Sequence, residues 1–412
     1  MLDPTPLDTQ LAAQTEDRLR VLVVGAGMAG LTVAQLLRHN GLHPVLVDRM
    51  PRMEHPGYML ALMPLVDQVF IDLGIRERYR EESTPLRSYR FRAHRGKPLR
   101  TDSLGELLSV YGDYNGIGRG ELVHVLTANG CPITYGTTVG SAQPDGAGGS
   151  RVEFVDRDGA VVGTGEFDLV IGADGMHSRM RDLLSSTPAQ RLDTGWAGWV
   201  AWADDLGSAD LGEELWGDGF FLGVYPVKDR LGVFLGGPIP DLRVGPSAFV
   251  DDVRERLDEV GPRLSAALDA VTDDPAPCFW HLEDVRSERW VLPGGVLIGD
   301  AAAGFLPTAG IGAGMAMEAA WMLARMLSHA DRESLTAVLA EWERIEKPRV
   351  ESAQSNSRML AKLMFRRGRA VAWLRETVMR LLSVRAALGP IVKLVAARPD
   401  PDAAAERVVR AG

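Results

Sequence analysis

The sequence predicts an α/β protein: a parallel sheet assembled from separated stretches of chain, a mainly antiparallel sheet inserted between them, and a helical C-terminal segment. Three observations carry that expectation. Short apolar runs recur at Val21–Val24, Phe167–Gly172 and Val296–Ile298, the pattern of parallel strands buried on both faces. A glycine-rich turn follows the first of them. Between the second and third, Gly195–Pro240 is rich in aromatic residues and cut by turn signals such as Lys228-Asp229-Arg230, which reads as antiparallel sheet.

With 412 residues the chain has room for two or three domains. Its 46% hydrophobic and 24% charged residues suit an ordinary globular core. No run approaches the roughly 20 apolar residues of a membrane span. Residues 1–18, with acids and prolines but no apolar centre, read as a short disordered leader of a cytoplasmic protein. Cys131 and Cys278 lie far apart and outside any CxxC spacing, so neither a metal centre nor a disulfide scaffold is expected. A net charge of −10 argues against nucleic-acid binding. The bases gather at one end: Arg358 to Arg398 holds ten, Arg385 among them, against the single acid Glu376.

Taken in order, Arg20–Met50 is one βαβ unit. The strand Val21–Val24 enters a helical pattern through Leu31, Ala34, Leu37 and Arg38 that stops at Asn40-Gly41, and Val45–Val47 is the second strand. The turn Gly25-Ala26-Gly27-Met28-Ala29-Gly30 is GxGxxG. Gly25 permits the tight turn, Gly27 lets main-chain amides approach a pyrophosphate, and Gly30 allows close helix–strand packing. Asp48 ends the second strand, about 20 residues on, where an acid binds a ribose hydroxyl. This is a Rossmann-like dinucleotide site.

Beyond it, Leu60–Leu73 reads as a helix closed by Gly74, Leu86–Phe91 and Lys97–Leu99 as a hairpin, and Gly120–Asn129 as a helix. Val152–Asp156 and Val161–Glu166 pair around Asp158-Gly159, and a long helix begins near Gly310. Leu360–Ala396 is helical with an apolar stripe and many bases. A packed helix bordering the site entrance is expected, and peripheral membrane contact through 360–396 is the alternative.

GxGxxG does not by itself separate FAD from NAD. Two further stretches do: DLVIGADGMHSRMR at Asp168–Arg181, and GGVLIGDAAAGFLPTAGIGAGMAMEAAWML at Gly294–Leu323. With the first motif they resemble the flavoprotein monooxygenases of the para-hydroxybenzoate hydroxylase fold, over roughly residues 19 to 345. Gly172, Ala173, Asp174, Gly175, Ser178 and Arg181 match that family's GADG..S..R element. Gly299, Asp300 and Ala301, followed by Pro307, Gly310 and Gly312, match its GDA element.

The resemblance implies bound FAD, NAD(P)H as a transient co-substrate (no second GxGxxG is present), and O2 activated as a flavin C4a-hydroperoxide. The implied product is a hydroxylated or epoxidised apolar molecule of secondary metabolism, an aromatic, polyketide or terpenoid. Asp300 is then placed to accept a ribityl hydroxyl. Gly310-Ile311-Gly312-Ala313 begins a helix whose positive end would face the flavin ring. Arg119 would open a helix beside FAD, Val139 would line the adenine, and Arg49 would lie near the adenosine. In the aromatic sheet, Trp202, Phe221 and Tyr225 are the candidate pocket residues; no base is assigned.

The implied division has a leader at 1–18 and a discontinuous FAD-binding domain at 19–82, 101–186 and 287–345. A substrate-binding sheet domain follows at 83–100 and 187–286, and a C-terminal helical segment at 346–412. Oligomeric state is left open. Departures at Ala303, Gly314 and Ala319 keep a non-redox cyclase with structural flavin as the alternative, while Trp199-Val200-Ala201-Trp202 does not match the halogenase WxWxIP signature.

Overall fold

The computed structural model describes residues 1–52, 57–146, 148–205, 207, 209–275, 277–381 and 388–411. Val21–Val24 is entirely buried, and its apolar side chains seat it at the centre of a seven-stranded sheet. The three apolar runs lie side by side there. Val45–Asp48, Val21–Val24, Leu169–Gly172 and Gly295–Leu297 are consecutive parallel strands. Their C-terminal ends therefore emerge along one edge, where sheets of this kind bind ligands. Helix Met28–His39 and helix Gly312–Leu327 pack against each other beside it.

A second seven-stranded sheet is built from chain that leaves the first. In spatial order it runs Cys278–Arg286, Gln190–Asp204, Arg230–Pro238, Phe221–Val227, Leu211–Trp216, Ser88–Arg92, Pro98–Asp102. All its pairs are antiparallel except Leu211–Trp216 with Ser88–Arg92. The aromatic stretch and the early hairpin thus form one surface.

The N-terminal residues are not a loose leader. Leu2–Pro4 adds a parallel strand beside Cys131–Tyr135, and Leu7–Ala13 is helical. Gln10 explains the docking: its buried amide donates to the Leu46 carbonyl (3.0 Å) and Thr134 hydroxyl (2.8 Å) and accepts from the Leu46 N–H (2.9 Å). The stretch expected as one helix from Leu60 is instead strand Met59–Leu62, a short turn Pro64–Val66 and helix Asp67–Asp72. Pro64 lacks the N–H a strand would use and opens the turn. Helices Leu335–Met364, Arg369–Leu381, Gly389–Ala396 and Pro401–Ala411 close the chain. Residues 382–387, and with them Arg385, lie outside the described residues.

Candidate active site

One cavity of about 810 Å³ runs from the edge of the parallel sheet to the underside of the antiparallel sheet. Its first wall is the glycine turn. Gly25 has φ +106°, and a Cβ there would lie 2.5 Å from the Ala173 carbonyl oxygen. A Cβ on Gly30 would lie 1.9 Å from the Gly25 carbonyl oxygen. At Gly27 the nearest atom is 3.9 Å away, because that side opens to the cavity. Gly27, Met28 and Ala29 line it, and helix Met28–His39 starts there without a side-chain cap. Its first amides therefore face the cavity, as an anion site requires. Asp48 sits behind the turn, accepting the Ala26 N–H at 2.7 Å and the Met50 N–H at 2.8 Å.

The second wall comes from the third motif. Gly299 has φ +57° and a Cβ there would meet the Ala29 Cβ at 2.8 Å, so this glycine lets the following residue close on the first helix. That residue is Asp300. It is deep within the protein, yet its side chain is open to the cavity lumen. Burial pushes its carboxyl up to about 6. Pro307 and Gly310–Ala313 continue the wall, and helix Gly312–Leu327 also begins without a side-chain cap. Arg119 closes the cavity opposite, its N–H bonded to the Tyr58 carbonyl at 2.9 Å. These groups fit a dinucleotide: two uncapped helix starts, a carboxylate between them, and glycines where a Cβ would strike main chain.

Other expected residues sit one step back. Asp174 accepts from Ser178 Oγ (2.5 Å) and the Met180 N–H (2.9 Å). Arg181 donates to the carbonyls of Met176 and Ala301, both at 3.0 Å. This motif is thus a knot that fixes the loop beside Asp300, with Ala173 and Gly175 on the cavity surface. Val139 is buried within its strand, and Arg49 is exposed on the outer surface. Neither lines the cavity.

Under the antiparallel sheet, Phe221 and Tyr225 line the cavity and Trp202 does not. The Trp202 ring is covered by the Arg230 guanidinium 3.7 Å from the centroid, which Glu121 holds at 2.8 Å. The residues that sequence reasoning missed are Tyr89, Glu214 and Trp216. Tyr89 and Tyr225 donate to Glu214 Oε1, the latter at 2.6 Å, and Trp216 Nε1 donates to Oε2 at 2.7 Å. Burial pushes the Glu214 carboxyl up, and the three donors oppose it. The signal was the acid pair in LGEELW, a strand buried at every position. Strand alternation turns Glu213 away toward Arg92 (2.6 Å) and Glu214 into the cavity.

A dinucleotide cradle thus opens into an aromatic chamber roofed by an antiparallel sheet. The chain belongs to the FAD binding domain family, whose model matches residues 18–357, and is an FAD-dependent monooxygenase of the para-hydroxybenzoate hydroxylase fold. It is 26% identical over 378 residues to the aurachin C monooxygenase/isomerase of Stigmatella aurantiaca, covering 89% of this chain and 94% of that protein. It is 27% identical over 383 residues to a 2-heptyl-3-hydroxy-4(1H)-quinolone synthase of Pseudomonas aeruginosa, covering 88% and 94%. Among solved structures, Klebsiella pneumoniae HpxO complexed with FAD and uric acid shares the fold, with TM-score 0.81, 21% identity and coverage of 94% and 99%. Among the described residues, no helix is long and apolar enough to cross a membrane.

Proposed function

We propose that the chain oxygenates an apolar, ring-containing molecule that carries an N–H or O–H donor, with NAD(P)H as transient co-substrate. The observation that carries this is the continuity of one cavity from the uncapped helix starts and Asp300 to the Tyr89–Glu214–Tyr225 cluster. Gly27 to Ala29 would hold the pyrophosphate, Asp300 a ribityl hydroxyl, and the Gly310–Ala313 helix start the ring edge where charge develops on reduction. Asp48 and Asp174 would act as positioning residues behind them. Bound FAD supplies the electron store and the oxygen chemistry that side chains lack.

The chain's own contribution at the other end is shape and dryness. Phe91, Phe221, Phe234 and Trp280 line the chamber, and exclusion of water protects an oxidising intermediate from wasteful loss. Because Tyr89, Trp216 and Tyr225 spend their hydrogens on Glu214, the cluster with Glu214 ionised offers only acceptors to a substrate. The name of one relative above, a 2-heptyl-3-hydroxy-4(1H)-quinolone synthase, supports a substrate of ring-plus-apolar-substituent type. The departures at Ala303, Gly314 and Ala319 do not line the cavity, so nothing there favours a non-redox cyclase.

The test is O2 uptake by purified, FAD-loaded protein with NADPH or NADH across N–H- and O–H-bearing aromatics. Substrate-stimulated uptake with oxygenated product is expected, and uptake that no substrate raises above background rejects the proposal. Glu214→Leu is expected to lower kcat/KM about 10- to 100-fold while FAD content is unchanged, the value of one hydrogen bond to a charged group. Asp300 gives a pH signature. An ionised carboxylate accepts the ribityl hydroxyl, so FAD affinity should fall as pH drops through about 6. In Asp300→Asn the affinity should be weaker by about tenfold and flat across that range, as read by flavin fluorescence titration.

A further inference from the structure

Helix Arg369–Leu381 lies on the substrate sheet with its apolar face outward. The residues it turns inward are Ala372, Arg375 and Glu376, all buried. Arg375 donates to the main-chain oxygens of Trp216, Gly217 (3.0 Å) and Met364 (3.2 Å). Glu376 accepts the His94 N–H at 2.6 Å and faces His94 Nδ1 at 2.5 Å. The helix is thus pinned by its polar side. Trp373 (64% exposed) and Leu381 (82%) point to solvent, and Leu374 (58%) and Val378 (49%) are exposed beside them on the cavity wall. Their spacing traces a single helical stripe, the part a helix on a soluble protein normally buries. Met359 and Leu363, from the end of the preceding helix, extend the exposed apolar surface.

Two further observations say what covers it. Exposed bases surround the stripe: Lys362, Arg366, Arg367, Arg369 and Arg380, of which Arg367 also meets Asp241. On a chain of net charge −10, this is a local reversal. A second copy docked through the same face would set these cations against themselves, whereas an anionic surface matches them. In addition, Leu363, Leu374 and Val378 belong both to the exposed stripe and to the cavity wall, so the stripe borders the cavity mouth.

We propose that this face docks on an anionic lipid bilayer. The helix lies at the level of the acyl–headgroup boundary with the bases toward the headgroups, as interfacial amphipathic helices do, and the cavity mouth opens toward the acyl layer. A lipophilic substrate then reaches the active site without crossing water. Docking itself rests on the stripe and its charges, not on the substrate reading, so its test needs no turnover.

FAD-loaded full-length protein is centrifuged with large vesicles of phosphatidylcholine, with or without about one-third phosphatidylglycerol. The expected result is pelleting with the anionic vesicles, at least about tenfold weaker partition onto pure phosphatidylcholine, and a decline as salt rises. The double variant Trp373→Asp/Leu381→Asp alters the stripe at positions that do not line the cavity. It should lose at least about tenfold in partition while keeping its flavin absorbance and far-ultraviolet circular dichroism. The proposal is overturned if the parent protein pellets with neither vesicle, or if the variant pellets as well as the parent. It is equally overturned if light scattering shows a dimer that the variant dissolves, which would make a second copy the occupant.

Discussion

Gly30→Val should purify as a colourless protein. The added Cβ would lie 1.9 Å from the Gly25 carbonyl oxygen and 3.3 Å from the Ala173 Cβ. Gly25 cannot yield, because its own amide is bonded to the Val47 carbonyl at 2.8 Å and its open side faces the Ala173 main chain. Helix Met28–His39 must therefore move off the strand and carry the amides of Met28 and Ala29 away from the cavity. Overpacking of this kind costs about 1–3 kcal/mol. The loss of geometry at the anion site should weaken FAD by at least about 1,000-fold, roughly 4 kcal/mol. Gly41→Ala is the control. Its φ is +79° with no atom within 4 Å of the new Cβ, so it should cost about 1 kcal/mol of stability and leave the flavin bound. Flavin-to-protein ratio from visible absorbance reads both, and a Gly30→Val protein with full flavin would refute the cradle.

The parts of the molecule legible in sequence are those where the main chain makes the demand. A strand buried on both faces is apolar throughout, and a turn with positive φ favours glycine, which alone fits where there is no room for Cβ. Val21–Gly30, Leu169–Gly175 and Gly295–Gly312 meet those demands with local residues, so both the parallel sheet and the cradle could be read. The substrate end could not, because its chemistry depends on pairing. Glu214 becomes a cavity residue only when Leu211–Trp216 lies beside Ser88–Arg92, which brings Tyr89 to it from 125 residues away. Trp202 has the same parity as Val200, which does line the cavity, but the Arg230 guanidinium that covers its ring is a tertiary fact. The N-terminal docking depends likewise on one glutamine amide finding partners at Leu46 and Thr134. For helix Arg369–Leu381 the stripe was visible, but not which way it faced.

Protein stability should fall between about pH 4.5 and pH 8 through Glu346, and Glu346→Gln should remove that fall. Glu346 is fully buried in helix Leu335–Met364, and neither of its carboxyl oxygens has a hydrogen-bond partner. Burial first, and then the nearby Glu318 carboxylate, push its carboxyl from 4.5 up to about 8, against the pull of Arg349. Arg349 is engaged elsewhere: it holds Glu318 through two contacts of 3.0 Å and donates to the Leu394 and Ala397 carbonyls. Below pH 4.5 Glu346 is protonated in both folded and unfolded chains and contributes no slope. Between 4.5 and 8 the unfolded chain has released this proton and the folded chain keeps it, so each pH unit draws about 1.4 kcal/mol toward unfolding. Above 8 both have released it and the loss is complete. With some relaxation around the charge, the total should be about 2–4 kcal/mol. Urea unfolding at pH 5 and pH 8.5 reads the difference as a change in midpoint at constant slope. The parent should lose about 2–4 kcal/mol more than Glu346→Gln over that interval, the difference belonging to the coupled pair Glu346 and Glu318. Parallel losses in the two proteins would mean that Glu346 is ionised in the fold, with a counter-charge or water supplying what its surroundings lack.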